Sequence, residues 1–443
     1  VFLAAVACVA GFQLLPGPAA GPKDQDDLHT APPTDETWLG DFRGYALQMH
    51  NVEPDHPYKQ YIDEIAEADA NTVMLVVKGF QENADSTSIF IDLRRTPSDR
   101  RIGEVIDHAH EKGLRVVLMP ILLLDNARSK EWRGKIGQSG WSEQKWDDWW
   151  ARYREFILHY AKLARAHDVE LYIVGSELVS TEHKTDRWRE LIASVRAEYG
   201  GLLSYSANWD HYDVAEFWDD LDAIGITSYY DLSGGREPTL ETLMEAWKPI
   251  MQKILAWQTT VGKPILFTEV GWPNQETCAQ YPWNYYAAPN KPDVEAQSNC
   301  FESFFRTWGH RPEVAGVLVW EWRSFPGQSI GPKDTSYVPC GKPALNVIRK
   351  YYAAAESRAL TTEPATLPAA EDELVQPKER EPAATDATEY DIHGDGNEAP
   401  GEADVSGREA LQDIYTNGDA IFAGPTSLSA DRSTLPADEH TDR

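Results

Sequence analysis

Between about Asp41 and Ala354 the chain alternates eight short apolar runs with amphipathic segments, and that alternation restricts the fold more than any other feature. The runs are RGYALQMH, NTVMLVVKGF, LRVVLMPILLL, VELYIVGSEL, GLLSYSANW, DAIGITSYY, KPILFTEVGW and VAGVLVWEW. Each is nearly continuous and rich in Val, Ile and Leu, as strands buried on both faces are. Between them lie segments of helical period, among them YKQYIDEIAEADA, DRRIGEVIDHAHEKG, KWDDWWARYREFILHYAKLARAHD and TLETLMEAWKPIMQKILAWQ, and PALNVIRKYYAA follows the last run. Strand alternating with helix predicts a parallel α/β sheet. A doubly wound open sheet rarely needs eight such units, so the expectation is a (β/α)8 TIM barrel.

A barrel of this kind presents its chemistry at the C-terminal ends of its strands. Read in order, those ends carry Gln48 and His50, Lys78, Asp125, Glu177, Asn208, Tyr229, Glu269 and Trp320. Glu177 closes the fourth run and Glu269 the seventh. Two carboxyls on rigid strand ends suit cleavage of a glycosidic bond, one protonating the leaving oxygen and the other attacking the sugar carbon. Strands three apart face one another obliquely, which is compatible with the separation of about 5 to 5.5 Å found in retaining enzymes. A single strand-end Glu is more often a helix-cap partner or half of a salt bridge. Two of them, beside Asn208, Tyr229 and Trp320, argue for chemistry.

The roles follow from charge. Glu269 must stay ionised to attack, and Tyr229 and Lys78 are the natural suppliers of hydrogen bonds and positive charge. Glu177 must hold a proton, which burial and a neighbouring carboxylate favour. Asn208 is placed for a sugar hydroxyl, with a turn role almost equally open. Trp320 is the expected platform under the sugar, and Gln48 joins the substrate-binding set. Trp272 and Trp209 divide evenly between stacking on sugar and packing. Glu182 could orient Glu177 or cap a helix, with the supporting role favoured, while His50 and Asp125 stay open.

The segments VGSEL followed by Glu182, DAIGITSYYDL and PILFTEVGW resemble glycoside hydrolase family 113, within the large clan of retaining (β/α)8 hydrolases. The similarity runs over about residues 40–354. Ser176 stands where most of the clan has Asn, in keeping with this family. The resemblance implies Glu177 as acid/base, Glu269 as nucleophile, and β-1,4-mannan or manno-oligosaccharides as substrate. One departure is the long loop QETCAQYPWNYYAAPNKP after Trp272-Pro273, which can reshape the groove. A β-glucanase or β-galactanase of the same clan is the alternative enzyme. A non-catalytic glycan-binding protein on a degenerate barrel is the alternative outside catalysis.

Composition bears on partners and on the chain ends. A net charge of −30 opposes binding to nucleic acid. Sixteen tryptophans exceed ordinary core use and hint at a carbohydrate groove, although packing accounts for most. Residues 1–22, VFLAAVACVAGFQLLPGPAAGP, resemble the apolar part of a secretory signal and are too interrupted for a membrane span. Cys8 lacks the aliphatic residue three positions earlier that lipid attachment favours, so export is the better reading. A linker, 23–40, precedes the catalytic domain, 41–354. Residues 355–443 carry 21 acidic and 6 basic side chains and few aromatics, the composition of a disordered tail. Within it Asp391, Asp395, Gly396 and Glu402 match part of a calcium loop, but His393 and Glu398 break the pattern. Export permits a disulfide, and Cys278–Cys340 is the expected pair because Cys300 falls in a helix. No metal or nucleotide motif is present and no cofactor is implied. The expectation is a secreted or envelope-associated monomer acting on a polysaccharide or oligosaccharide, with membrane contact only through its N-terminus.

Overall fold

Parallel strands that close on themselves form the centre of the protein. The computed structural model describes residues 42–284 and 291–361. In chain order the elements are β1 (Phe42–Met49), α1 (Tyr58–Glu67), β2 (Thr72–Gln81), β3 (Ile89–Phe90), α2 (Asp99–Glu111), β4 (Arg115–Leu124), α3 (Glu143–Ala166) and β5 (Leu171–Ser176). They continue with α4 (Thr185–Glu198), β6 (Leu202–Ala207), β7 (Ala223–Thr227), α5 (Leu240–Val261), β8 (Ile265–Val270), α6 (Val294–Trp308), β9 (Val314–Val319) and α7 (Pro343–Thr361). All but β3 belong to the barrel. β1 pairs in parallel with β2 on one side and β9 on the other, which removes both sheet edges. The short β3 adds antiparallel to the end of β2. The fold is the predicted TIM barrel, with one local difference. The link from β6 to β7 has no α-helix and carries the 3-10 turn Trp218–Asp220 instead.

The core divides into two layers, and the strands alternate between them. Along β2, Val73, Leu75 and Val77 face the surrounding helices, while Met74 and Val76 fill the barrel interior. Met119, Ile173, Leu266 and Leu318 meet them there from other strands. Burial on both faces explains why the strands read as unbroken apolar runs. The helices are placed by local caps. Ser98 accepts from the Arg101 N–H, Ser142 from that of Lys145 and Thr239 from that of Thr242, each satisfying a first-turn donor. Gly262 ends α5 with φ 70°, a left-handed turn that glycine adopts freely.

Four register shifts interrupt the barrel, between Ile173 and Ser176, between Ile226 and Thr227, between Ile265 and Leu266, and between Phe267 and Val270. Bulges re-aim the side chains beside them. All but the one at Ile265 lie at the C-terminal ends of β5, β7 and β8, beside Glu177 and Glu269.

The cysteines depart from expectation. Cys278, Cys300 and Cys340 are buried and free, with no Cys278–Cys340 bond. The loop after β8 turns inward onto α6, so that Cys278 hydrogen-bonds Cys300, whereas Cys340 lies near Arg323 and Glu64. α7 runs on to Thr361, so residues 355–361, expected to open the disordered tail, are helical; the export segment, the linker at 23–40, the remainder of the acidic tail and the calcium-like stretch at 391–402 lie outside the described residues. Among the described residues no helix is long and apolar enough to cross a membrane.

Backbones approach closely between β6 and β7. A Cβ added to Gly225 would strike the Tyr205 carbonyl oxygen, a backbone atom that cannot step aside without breaking the strand pairing. Gly225→Ala is therefore expected to destabilise the barrel by about 1–3 kcal/mol, read as a lower urea midpoint with an unchanged slope.

Candidate active site

Glu177 follows β5 directly, and its backbone turns into the left-handed region with φ 51°. Its N–H still donates to the Ser206 carbonyl of β6 at 2.9 Å, which anchors the turn to the barrel. The side chain is fully buried. Arg133, from a 3-10 turn in the loop after β4, reaches it at 2.5 Å and donates to the Ser176 carbonyl at 3.0 Å. The Thr227 hydroxyl lies 3.4 Å from the other carboxylate oxygen. Burial pushes the Glu177 carboxyl up to about 8; Arg133 opposes that shift, and the charges of Glu269, Glu182 and Asp210 add to it.

Glu269 sits within β8, equally buried. The Tyr229 hydroxyl, from the loop after β7, donates to its Oε2 at 3.0 Å. Glu177 and Glu269 thus lie on the fourth and seventh barrel strands, close enough for the charge of one to act on the other.

Glu182 is a third buried carboxylate. It accepts from the Tyr205 hydroxyl at 2.8 Å, and its other oxygen pairs with His211 Nδ1 at 3.1 Å. Tyr205 in turn accepts from the Leu178 N–H at 2.8 Å. Glu182 therefore braces the residue next to Glu177 and does not cap α4, whose N-cap is Lys184 with no side-chain bond.

Other strand-end residues distribute as follows. Gln48 donates to Glu321 Oε2 at 2.6 Å. Glu321 is half-buried; burial pushes its carboxyl up to about 7, against the Gln48 hydrogen bond and the charge of Lys78. Lys78 is buried and also helps, after burial itself, to hold the His50 imidazole well below its ordinary range. Trp320 directly follows β9 and is fully enclosed in the interior cluster with Tyr229 and Tyr337. Asp125 pairs with Arg95 at the rim at 2.5 Å.

Two expected substrate contacts are occupied locally. Asn208 donates to Asp210 at 3.0 Å and accepts from the Trp209 N–H at 3.2 Å, the bonding of a turn residue. Trp272 is fully buried between barrel and helices, edge-on to Phe301 with ring centroids 5.1 Å apart. Its ring serves packing against α6 rather than the mouth. Trp209 does face the mouth loops, stacked on Trp283 at 6.0 Å with an interplanar angle of 9°. The loop carrying Trp283 is joined to the loop after β9 through Asn274, which donates to the Pro332 and Asp334 carbonyls, and through Tyr337, which donates to Pro282.

Sequence reading missed Arg133 and Glu321. Arg133 lies in an irregular loop and carries no periodic signal. Glu321 was legible, because VLVWEW places an acid at the end of the eighth apolar run just as in the fourth and seventh.

Among the described residues no cluster of His, Cys, Asp and Glu could hold a metal ion. No curated protein sequence matches the chain. Solved structures do. A β-1,4-mannanase of glycoside hydrolase family 113 aligns with a TM-score of 0.63 at 27% identity, covering 71% of this chain and 100% of its own. The β-mannanase AaManA from Alicyclobacillus acidocaldarius, in complex with ManMIm, aligns at 0.63 and 27%, covering 71% of this chain and 98% of its own. The family model for glycoside hydrolase family 113 matches residues 54–342, from just before α1 to the start of α7. With that match spanning most of the chain, and the barrel closing around two buried glutamates at its mouth, this protein belongs to glycoside hydrolase family 113 and is a glycoside hydrolase.

Proposed function

We propose that the protein cleaves β-1,4-mannan or manno-oligosaccharides by double displacement, with Glu269 as nucleophile and Glu177 as acid/base. The observation that carries this reading is the pair of fully buried carboxylates on β5 and β8, each oriented by its own donor, Arg133 and Tyr229. The likeness to two mannanases at 27% identity supports mannan as the substrate.

In the first step a Glu269 oxygen bonds to the anomeric carbon as the glycosidic C–O bond breaks, and the departing oxygen takes the Glu177 proton. The Tyr229 hydroxyl donates to Glu269 and aims it. In the second step Glu177 removes a proton from water, which attacks the same carbon and releases Glu269. Two inversions leave the configuration retained. The half-buried Glu321, held by Gln48, offers a further group for binding sugar hydroxyls. The apolar run at 1–22 supports a site of action outside the cytoplasm. Fractionation of the producing cells tests this: activity confined to the cytosol rejects it.

Glu269→Ala is expected to lower kcat on mannan by about 10³-fold or more without changing the thermal midpoint. Azide should restore part of the rate and yield a glycosyl azide. Full activity in the variant would overturn the mechanism, and equal rates of the unmodified enzyme on mannan, glucan and galactan would overturn the substrate assignment.

A second expectation concerns pH. Glu177 acts protonated in the first step, so kcat/KM should fall as pH rises through about 8. Arg133 favours the ionised form, and its removal raises the Glu177 carboxyl further. In Arg133→Met the alkaline limb should move to higher pH by about one unit or more. A limb that stays fixed or moves down would show that Glu177 is not the group being titrated.

A further inference from the structure

The loop after β8 runs from Glu269 toward the barrel mouth and carries Cys278, whose thiol meets that of Cys300 on α6. The two are hydrogen-bonded to each other, and neither has exposed surface. Cys340 lies elsewhere, beside Arg323 and Glu64. The chemistry above uses neither thiol of the pair.

Each backbone is fixed on its own side. The Cys278 N–H donates to the Gln275 carbonyl at 3.1 Å, and the Gln275 side chain donates to the Thr335 carbonyl at 3.1 Å. The next residue, Ala279, accepts from the Leu232 N–H at 2.8 Å, which joins this loop to the one that carries Tyr229. On the other side, the Cys300 carbonyl accepts from the Ser303 hydroxyl at 2.8 Å, and Ser303 accepts from Trp247 of α5 at 3.2 Å. Gln297, one turn earlier in α6, donates to the Trp272 carbonyl at 2.8 Å, so helix and loop are already held together. Two thiols in contact between backbones held in this way need little more than side-chain rotation to reach the disulfide length of about 2 Å.

We propose that Cys278 and Cys300 are a disulfide-forming site, and that the bond staples the mouth loop to α6. The structure shows the thiol form of the pair. The oxidant is a low-molecular-weight disulfide such as oxidised glutathione. One cysteine thiolate attacks it and releases one glutathione thiol; the second thiolate attacks the mixed disulfide, forms the Sγ–Sγ bond and releases the other. The cysteines together give up two protons and two electrons, and one oxidised glutathione becomes two reduced. Burial pushes the Cys300 thiol well above its ordinary range, and the thiolate is the attacking form. The bond therefore forms readily while the chain folds and slowly once the pair is enclosed. It closes a segment of about twenty residues, which lowers the entropy of the unfolded chain.

The test makes the full chain in an oxidising secretory compartment and in a reducing cytosol. Each preparation is alkylated with iodoacetamide in guanidinium and mapped with chymotrypsin, which cuts between the pair at Trp283. The oxidised preparation is expected to give the Cys278 and Cys300 peptides joined, with Cys340 alkylated, and the cytosolic one all three alkylated. The disulfide form should melt about 5 °C or more above the thiol form, and Cys278→Ser/Cys300→Ser should show no difference between its two preparations. If secretion yields no folded protein, cytosolic protein refolded with oxidised and reduced glutathione should give the joined map. Alkylation of both Cys278 and Cys300 after oxidative folding, or a bond from either to Cys340, overturns the site. Joined peptides with equal melting midpoints overturn the staple.

Discussion

Enclosing negative charge is the constraint on which this structure depends. Glu177, Glu182 and Glu269 have no exposed surface, yet they meet at the mouth of one barrel. Moving an ionised carboxylate from water into a protein interior costs several kcal/mol unless charge and hydrogen bonds replace the lost solvation. Each acid here has its own replacement: Arg133 for Glu177, Tyr205 and His211 for Glu182, and Tyr229 for Glu269. These partners come from the loop after β4, from β6, from the loop after β6 and from the loop after β7. None is adjacent in sequence to the acid it serves. The site therefore exists only when the barrel is closed, and closure is what the uninterrupted apolar strands provide.

The same relation explains how much could be read in the sequence. A strand buried on both faces must be apolar along its whole length, so eight such runs announced the barrel and its strand ends. Polar residues that finish those runs announced Glu177, Glu269, Tyr229 and Gln48. What the runs could not carry was loop geometry. Arg133 reaches Glu177 across 44 positions of sequence, through a turn with no period to betray it. The register shifts beside Ser176, Thr227 and Val270 aim both acids, yet they arise from pairing between strands and leave no local trace. Asn208 and Trp272 show the converse. Each sits at or just past a strand end, but its neighbours, Asp210 and Phe301, engage it locally. The cysteines failed for a related reason: loops leaving one face of a barrel need not meet, and an inward turn brought Cys278 to a helix instead.

The electrostatics around Glu177 bear on how one group would serve both steps of the proposed mechanism. Burial is the largest influence and holds the carboxyl near 8, with Arg133 pulling down and Glu269 pushing up. Under the proposed mechanism Glu269 is an anion in the resting enzyme, and its charge helps Glu177 keep the proton that the first step requires. When Glu269 becomes an ester to the sugar, that charge is gone. Arg133 is unaffected by the reaction and goes on favouring the ionised form. The balance at Glu177 then tips toward carboxylate at the stage where it must accept a proton from water. No conformational change is needed to convert acid to base on this account. The change of charge on a neighbour, set against a fixed guanidinium in a site without solvent to screen either, is sufficient. An acid/base residue held only by burial would remain protonated through the second step. Paired with arginine, Glu177 would be released from its proton by the formation of the proposed intermediate itself.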